Sequence, residues 1–181
     1  TDLKTLVWMD RRDEALGYAR LRENVKKKFD SIMIVQKELT AKGQTDASLN
    51  LLLDEAAELA RAIDGESALG AVVNALAQLG RFDEAESFIR SIERGRQDGG
   101  WYNLVVPLAE ADRMENAIRA AGEIKDEESR ARVLRKLAEF CLTPGKETYA
   151  DPVFEEAEKA AQAITKEQDQ AGALAVLTKS L

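Results

Sequence analysis

The sequence predicts an all-α chain, about ten to eleven helices joined as antiparallel pairs that stack side by side into an α-solenoid. Three observations carry that expectation. Ala, Leu, Glu, Lys and Arg dominate the 181 residues while Pro occurs three times, and such side chains lose little rotamer freedom in a helix. Apolar residues recur at intervals of three and four, and no region reads as a strand. One start signal also returns five times. Acidic residues stand just ahead of an alanine in Asp13-Glu14-Ala15, Asp54-Glu55-Ala56, Asp83-Glu84-Ala85, Glu115-Asn116-Ala117 and Glu155-Glu156-Ala157. Four residues after each alanine comes Ala19, Ala60, Ile89, Ala121 or Ala161, and seven after it Arg22, Ile63, Ile92, Ile124 or Ile164. Those intervals put all three positions on one helix face, and the acids suit the positive end of the helix dipole.

Taken in order, residues 2–9 read as the end of a helix, because Met9-Asp10-Arg11-Arg12-Asp13-Glu14-Ala15 imitates Leu79-Gly80-Arg81-Phe82-Asp83-Glu84-Ala85. The partners of the five marked helices fall at 30–42, 66–79, 99–111, 127–142 and 168–180. Their apolar residues share the helical interval, as in Leu69, Val72, Val73, Leu76 and in Trp101, Leu104, Val105, Leu108. Lys42-Gly43, Leu79-Gly80 and Ala111-Asp112 are stop signals, where glycine or a short polar residue takes the left-handed conformation. Pro107 predicts a kink or a late helix start, since proline removes one hydrogen bond and crowds the carbonyl four residues back. Gly95 to Gly100 reads as a mobile loop, and residues 143–152 as a surface loop whose Asp151-Pro152 opens the next helix. A single domain over 1–181 accommodates all of this. The absence of an initial methionine and the start within a helix raise the expectation of a piece of a longer polypeptide.

The stretch Trp101, Leu104, Val105, Leu108, Ala117 and Ala121 resembles one helix–turn–helix unit of the tetratricopeptide repeat family, and Leu69, Val72, Val73, Leu76, Ala85 and Ile89 resemble a second. Val73 and Val105 stand where that family prefers glycine, Leu76 and Leu108 replace an aromatic, and neither unit closes with proline. The alanines of the start signal lie 41, 29, 32 and 40 residues apart, against about 34 in the family. The units are therefore degenerate, with one lengthened pair near 40–56 and an inserted loop near 143–152.

Chemistry has little to draw on. No histidine occurs, which removes Ser-His-Asp and Cys-His pairs and His-ligated metals. The single cysteine, Cys141, sits in an apolar run and reads as a small buried hydrophobe that cannot form a thiolate zinc site alone. Gly95-Arg96-Gln97-Asp98-Gly99-Gly100 and Gly145-Lys146-Glu147-Thr148 lack the Gly-Lys-Ser/Thr ending of a phosphate loop. Paired acids such as Glu127-Glu128 point about 100° apart and face water, where nothing raises a pKa. The expectation is a protein that is not an enzyme and carries no cofactor or metal. A net charge of −7 argues against a nucleic-acid partner, although residues 11–28 hold seven basic and three acidic residues. That basic segment reads as a solvated face, or else as a docking patch for an acidic partner. No apolar run is long enough for a membrane span, and no signal peptide or glycosylation sequon occurs, so a cytoplasmic location is expected.

What the resemblance implies is a concave surface lined by the first helix of each pair, holding a peptide or a partner's helix. The side chains pointing into it would be Met33 and Lys37, Gly70, Asn74 and Ala77, Tyr102, Val106 and Ala109, and Ala131, Arg135 and Ala138. Of these Tyr102, Asn74, Lys37, Arg135, Met33 and Val106 are the candidate partner contacts: an amphipathic ring, an amide, two cations and two apolar side chains. Trp101 is read as a packing residue. A scaffold for protein–protein interaction is the leading expectation, and a structural or regulatory arm of a larger protein the alternative.

Overall fold

The structure, a computed structural model, describes residues 2–44, 47–63, 65–143 and 145–163. Their regular structure is wholly helical. The α-helices are α1 (Leu3–Trp8), α2 (Arg12–Arg20), α3 (Val25–Ala41), α4 (Ala47–Arg61), α5 (Glu66–Gln78), α6 (Phe82–Arg90), α7 (Asp98–Glu110), α8 (Met114–Gly122), α9 (Glu127–Cys141) and α10 (Ala150–Ala163). Short 3-10 turns at Arg94–Arg96 and Glu147–Tyr149 precede α7 and α10. The helix expected at 168–180 lies outside the described residues.

One turn repeats along the chain. After α1, α3, α5 and α7 a residue enters the left-handed region: Asp10 (φ 59°), Gly43 (φ 73°), Gly80 (φ 70°) and Asp112 (φ 64°). The next N–H then reaches back to the carbonyl of a buried leucine, Arg11 to Leu6 (2.9 Å), Gln44 to Leu39 (3.0 Å), Arg81 to Leu76 (3.0 Å) and Arg113 to Leu108 (2.9 Å). The left-handed residue itself donates to the carbonyl three back, as Gly80 does to Ala77 at 2.9 Å. Both bonds satisfy carbonyls that a helix end leaves open. These turns follow one another at 33, 37 and 32 residues, a more even spacing than that of the alanines.

The difference has a physical cause. Asp13-Glu14, Asp83-Glu84 and Glu115 do occupy first turns, of α2, α6 and α8. Asp54-Glu55-Ala56 and Glu155-Glu156-Ala157 fall within α4 and α10, well past their starts. An acidic outer face beside a small inner residue looks the same in mid-helix as at a helix start. The position equivalent to Ala15 and Ala85 in α4, counted from the turn, is Ser48. The inward alanines behave as expected nonetheless, for Ala56, Ala60 and Ile63 are buried, as are Ala117, Ala121 and Ile124.

Helix starts are set by caps. Asn24 Oδ1 accepts from the Lys27 N–H at 3.0 Å and opens α3 at Val25, five residues ahead of the position expected from its apolar pattern. Asp126 accepts from the Ser129 N–H at 2.8 Å and opens α9. Gly65, at φ 102°, leads into α5. Pro107 does not delay α7, which runs unbroken from Asp98 through it, and only the bond that the Asn103 carbonyl would have accepted is lost. Gly99 and Gly100 belong to that helix rather than to a loop. Residues 147–163 form a 3-10 turn and α10, with Pro152 in the first helical turn, where a missing N–H costs nothing.

The chain divides into two compact units at Phe88/Ile89, a point inside α6. In the first, α3 is central and packs on α1, α2, α4 and α5, while α4 also packs on α5. Its core is built from Leu6, Val7, Phe29, Ile32, Val35, Leu39, Leu52, Leu53, Leu69, Val72 and Val73. In the second, α7 packs on α8 and α9, α8 on α9, and α9 on α10. Its core holds Trp101, Leu104, Val105, Leu108, Met114, Val133, Leu134, Leu137 and Val153. Trp101 is buried, with the Arg90 guanidinium 5.1 Å from the centre of its ring.

Candidate functional site

The first unit has a hollow between α3 and α5, and residue size explains it. On α3, Lys26, Phe29, Asp30, Met33, Ile34 and Lys37 recur at the helical interval and share one face. The facing part of α5 offers only Ser67, Ala68 and Ala71, with Ile63 ahead of it. Small side chains opposite large ones leave an open groove of about 390 Å³. That volume falls in the range of ligand clefts. Its floor is apolar: Phe29, Ala68 and Ile63 are buried, Met33 and Ala71 half-buried, and Ile34 is 37% exposed. Lys26 and Lys37 stand eleven residues apart on α3, roughly 16 Å along the helix at its usual rise.

Two of the six candidate contacts, Met33 and Lys37, therefore line this groove. Asn74 lies on the same helix as Ala71, one turn further on, half-buried and outside the lining. In the second unit Tyr102 and Val106 sit one turn apart on α7 and Arg135 on α9, all three half-buried. The Lys136 ammonium stands 5.2 Å from the centre of the Tyr102 ring, and Arg135 reaches Glu139 at 3.4 Å. Of the wider set proposed to point into a groove, Gly70, Ala77, Ala109 and Ala138 are buried instead. Small residues at those positions leave no side chain long enough to emerge from between neighbouring helices.

No family model, curated protein or solved structure matches this chain. The site must then be read from its own chemistry.

Charge is unevenly settled. Arg11 is bonded to Glu14 (2.6 Å), Arg12 to the Ser48 hydroxyl (2.7 Å) and Arg20 to Glu55 (2.7 Å), so these three arginines of the basic segment already have partners. Lys26, Lys27, Lys28 and Lys37 make no ion pair among the described residues. Sequence reasoning treated residues 11–28 as one block, and missed Lys26, Ile34, Ile63, Ala68 and Ala71 as groove residues. The interval from Lys26 through Asp30, Met33 and Lys37 was the available signal.

A second hollow, about 520 Å³, lies under the first turn and is lined by Val7, Asp10 to Glu14, Leu39 and Gln44. Its acids are occupied. The Arg11 guanidinium holds the Glu14 carboxyl below its ordinary value, chiefly through their hydrogen bond, and Lys42 pairs with Asp10. Elsewhere Arg81 lowers Glu84 in the same way, and the hydrogen bonds from Ser129 lower Asp126. Burial pushes the Cys141 thiol up, away from the thiolate a nucleophile needs. Among the described residues no group of three acidic or thiol side chains is placed to hold a metal ion, and no helix is long and apolar enough to cross a membrane.

Proposed function

We propose that this chain is a non-catalytic scaffold for protein–protein interaction, whose helix pairs stack within each unit as tetratricopeptide-like repeats and whose first helices grip a peptide or partner helix. The single observation that carries the reading is the α3/α5 groove, an apolar floor open to solvent and bordered by lysines that make no ion pair among the described residues. The recurring left-handed turn, at 33, 37 and 32 residues, supports the repeat, because one hairpin geometry restated along a chain makes like surfaces of successive first helices.

Site-specific photo-crosslinking tests it. A benzophenone side chain placed at Met33, Lys37, Tyr102 or Val106 should capture a discrete protein from an extract of the source organism. The same group at Glu58, exposed on α4, should not. Equal capture from Glu58 would move the contact to the other face, and capture from none of the five would remove the reading.

A further inference from the structure

We propose that the α3/α5 groove selects an acidic amphipathic helix, one whose short apolar stripe is flanked at both ends by carboxylates. This rests on the scaffold reading and names the chemistry of the partner.

The first unit supplies two independent observations. The groove floor of Phe29, Met33, Ile34 and Ile63 runs between Lys26 and Lys37 over roughly 16 Å. An apolar stripe at i, i+4 and i+7 of a partner helix spans about 10 Å and fits between them, leaving its flanking carboxylates beside the two ammonium groups. The second observation is electrostatic. Lys26, Lys27 and Lys28 occupy the first turn of α3, which contains no acidic residue, and they make no ion pair among the described residues. Cations at a helix N-terminus face the positive end of its dipole, so this turn stands in an unfavourable field. A carboxylate brought alongside relieves that field and meets the lysines together. Asp30 offsets one of these charges, and it sits between the two lysines, opposite the apolar stripe rather than at its ends. The overall charge of −7 makes the lysine turn stand out against its surroundings and disfavours docking of the same partner elsewhere.

Fluorescence anisotropy with the full chain and four labelled synthetic peptides tests the proposal. All share one helical leucine stripe, and their flanks are Glu, Gln or Lys. In the fourth, the Glu peptide has its leucines replaced by Ala. The Glu peptide is expected to bind most tightly and to weaken with added salt. Lys26→Glu with Lys37→Glu should weaken it roughly three- to tenfold, as two rim ion pairs would, and should restore binding of the Lys peptide. Circular dichroism verifies that the double variant is folded, and Lys125→Glu on the exposed surface serves as the charge control.

Equal binding of the Glu and Gln peptides, lost on Ile34→Asp but untouched by the lysine reversals, overturns the acidic selection and leaves the scaffold reading standing. Equal weakening by Lys125→Glu also overturns it, since that result reflects net charge alone. If none of the peptides binds, the groove is not a helix-binding site and both readings fail.

Discussion

Gly100→Ala inverts the usual rule for glycine in a helix, and its size can be worked out. Gly100 lies in the first turn of α7 and is buried. A Cβ added there would stand 2.8 Å from Ile89 Cγ1 and 3.3 Å from Cγ2. Both atoms sit on the branch point of a side chain stiff about χ1, so neither can swing away as a flexible chain end would. Replacing glycine by alanine in a helix normally gains about 0.5–1 kcal/mol, while overpacking a filled site costs about 1–3 kcal/mol. The expected net loss is about 0.5–2 kcal/mol. Gly17, in α2 with nothing within 4 Å of its Cβ position, is the control and should gain the propensity term alone. Urea unfolding followed by far-ultraviolet circular dichroism measures both. In an Ile89→Ala background the contact is gone, and Gly100→Ala should turn stabilising, a coupling of about 1–3 kcal/mol. If Gly100→Ala stabilises the wild-type chain as much as Gly17→Ala does, Ile89 and Gly100 do not approach as described.

Three further outcomes follow from the same packing and turn geometry. Leu104→Ala, at a fully buried position, should cost about 2–5 kcal/mol in the same urea assay, and a loss under about 0.5 kcal/mol would place the residue at the surface. Gly80→Ala forces a Cβ into the left-handed region at φ 70° and should cost about 1–2 kcal/mol, whereas the same change at Gly95, where φ is not positive, should be near neutral. Asp126 titrates lower in the folded chain than its ordinary 3.8 because the Ser129 hydroxyl, and after it the Ser129 N–H, hold its charged form. Its contribution is complete above that value and drains away as pH falls through the lowered one, so Asp126→Asn should flatten the acid limb of a pH–stability curve. An unchanged acid limb would mean that the cap does not form.

The apolar interval showed most helix bodies in advance: the expected 66–79, 99–111 and 127–142 each match an observed helix to within a residue at either end. Starts were harder. The α3 cap is one asparagine followed by three lysines, which oppose the acidic signal that a helix start usually carries, and so Val25 to Phe29 went unread as helix. The groove was half legible. Met33 and Lys37 follow from spacing within α3, but the hollow depends on the small residues of α5 facing them, and pairing across helices is not written in any one segment. Gly70 and Ala77 failed for the same reason, since periodicity cannot tell a residue that lines a trough from one wedged against the next helix.

The recurring turn has a bearing on how such a chain can change length. Each copy closes its own backbone groups, with the leucine carbonyl and the carbonyl three residues before the left-handed position both taken up locally. Cutting at Gly43 and rejoining at Gly80 would therefore excise a whole hairpin without orphaning a donor or acceptor at the splice, and duplication of the same segment would be equally clean. A cassette of this kind lets the number of hairpins be altered by single recombination events while each surviving corner keeps its geometry.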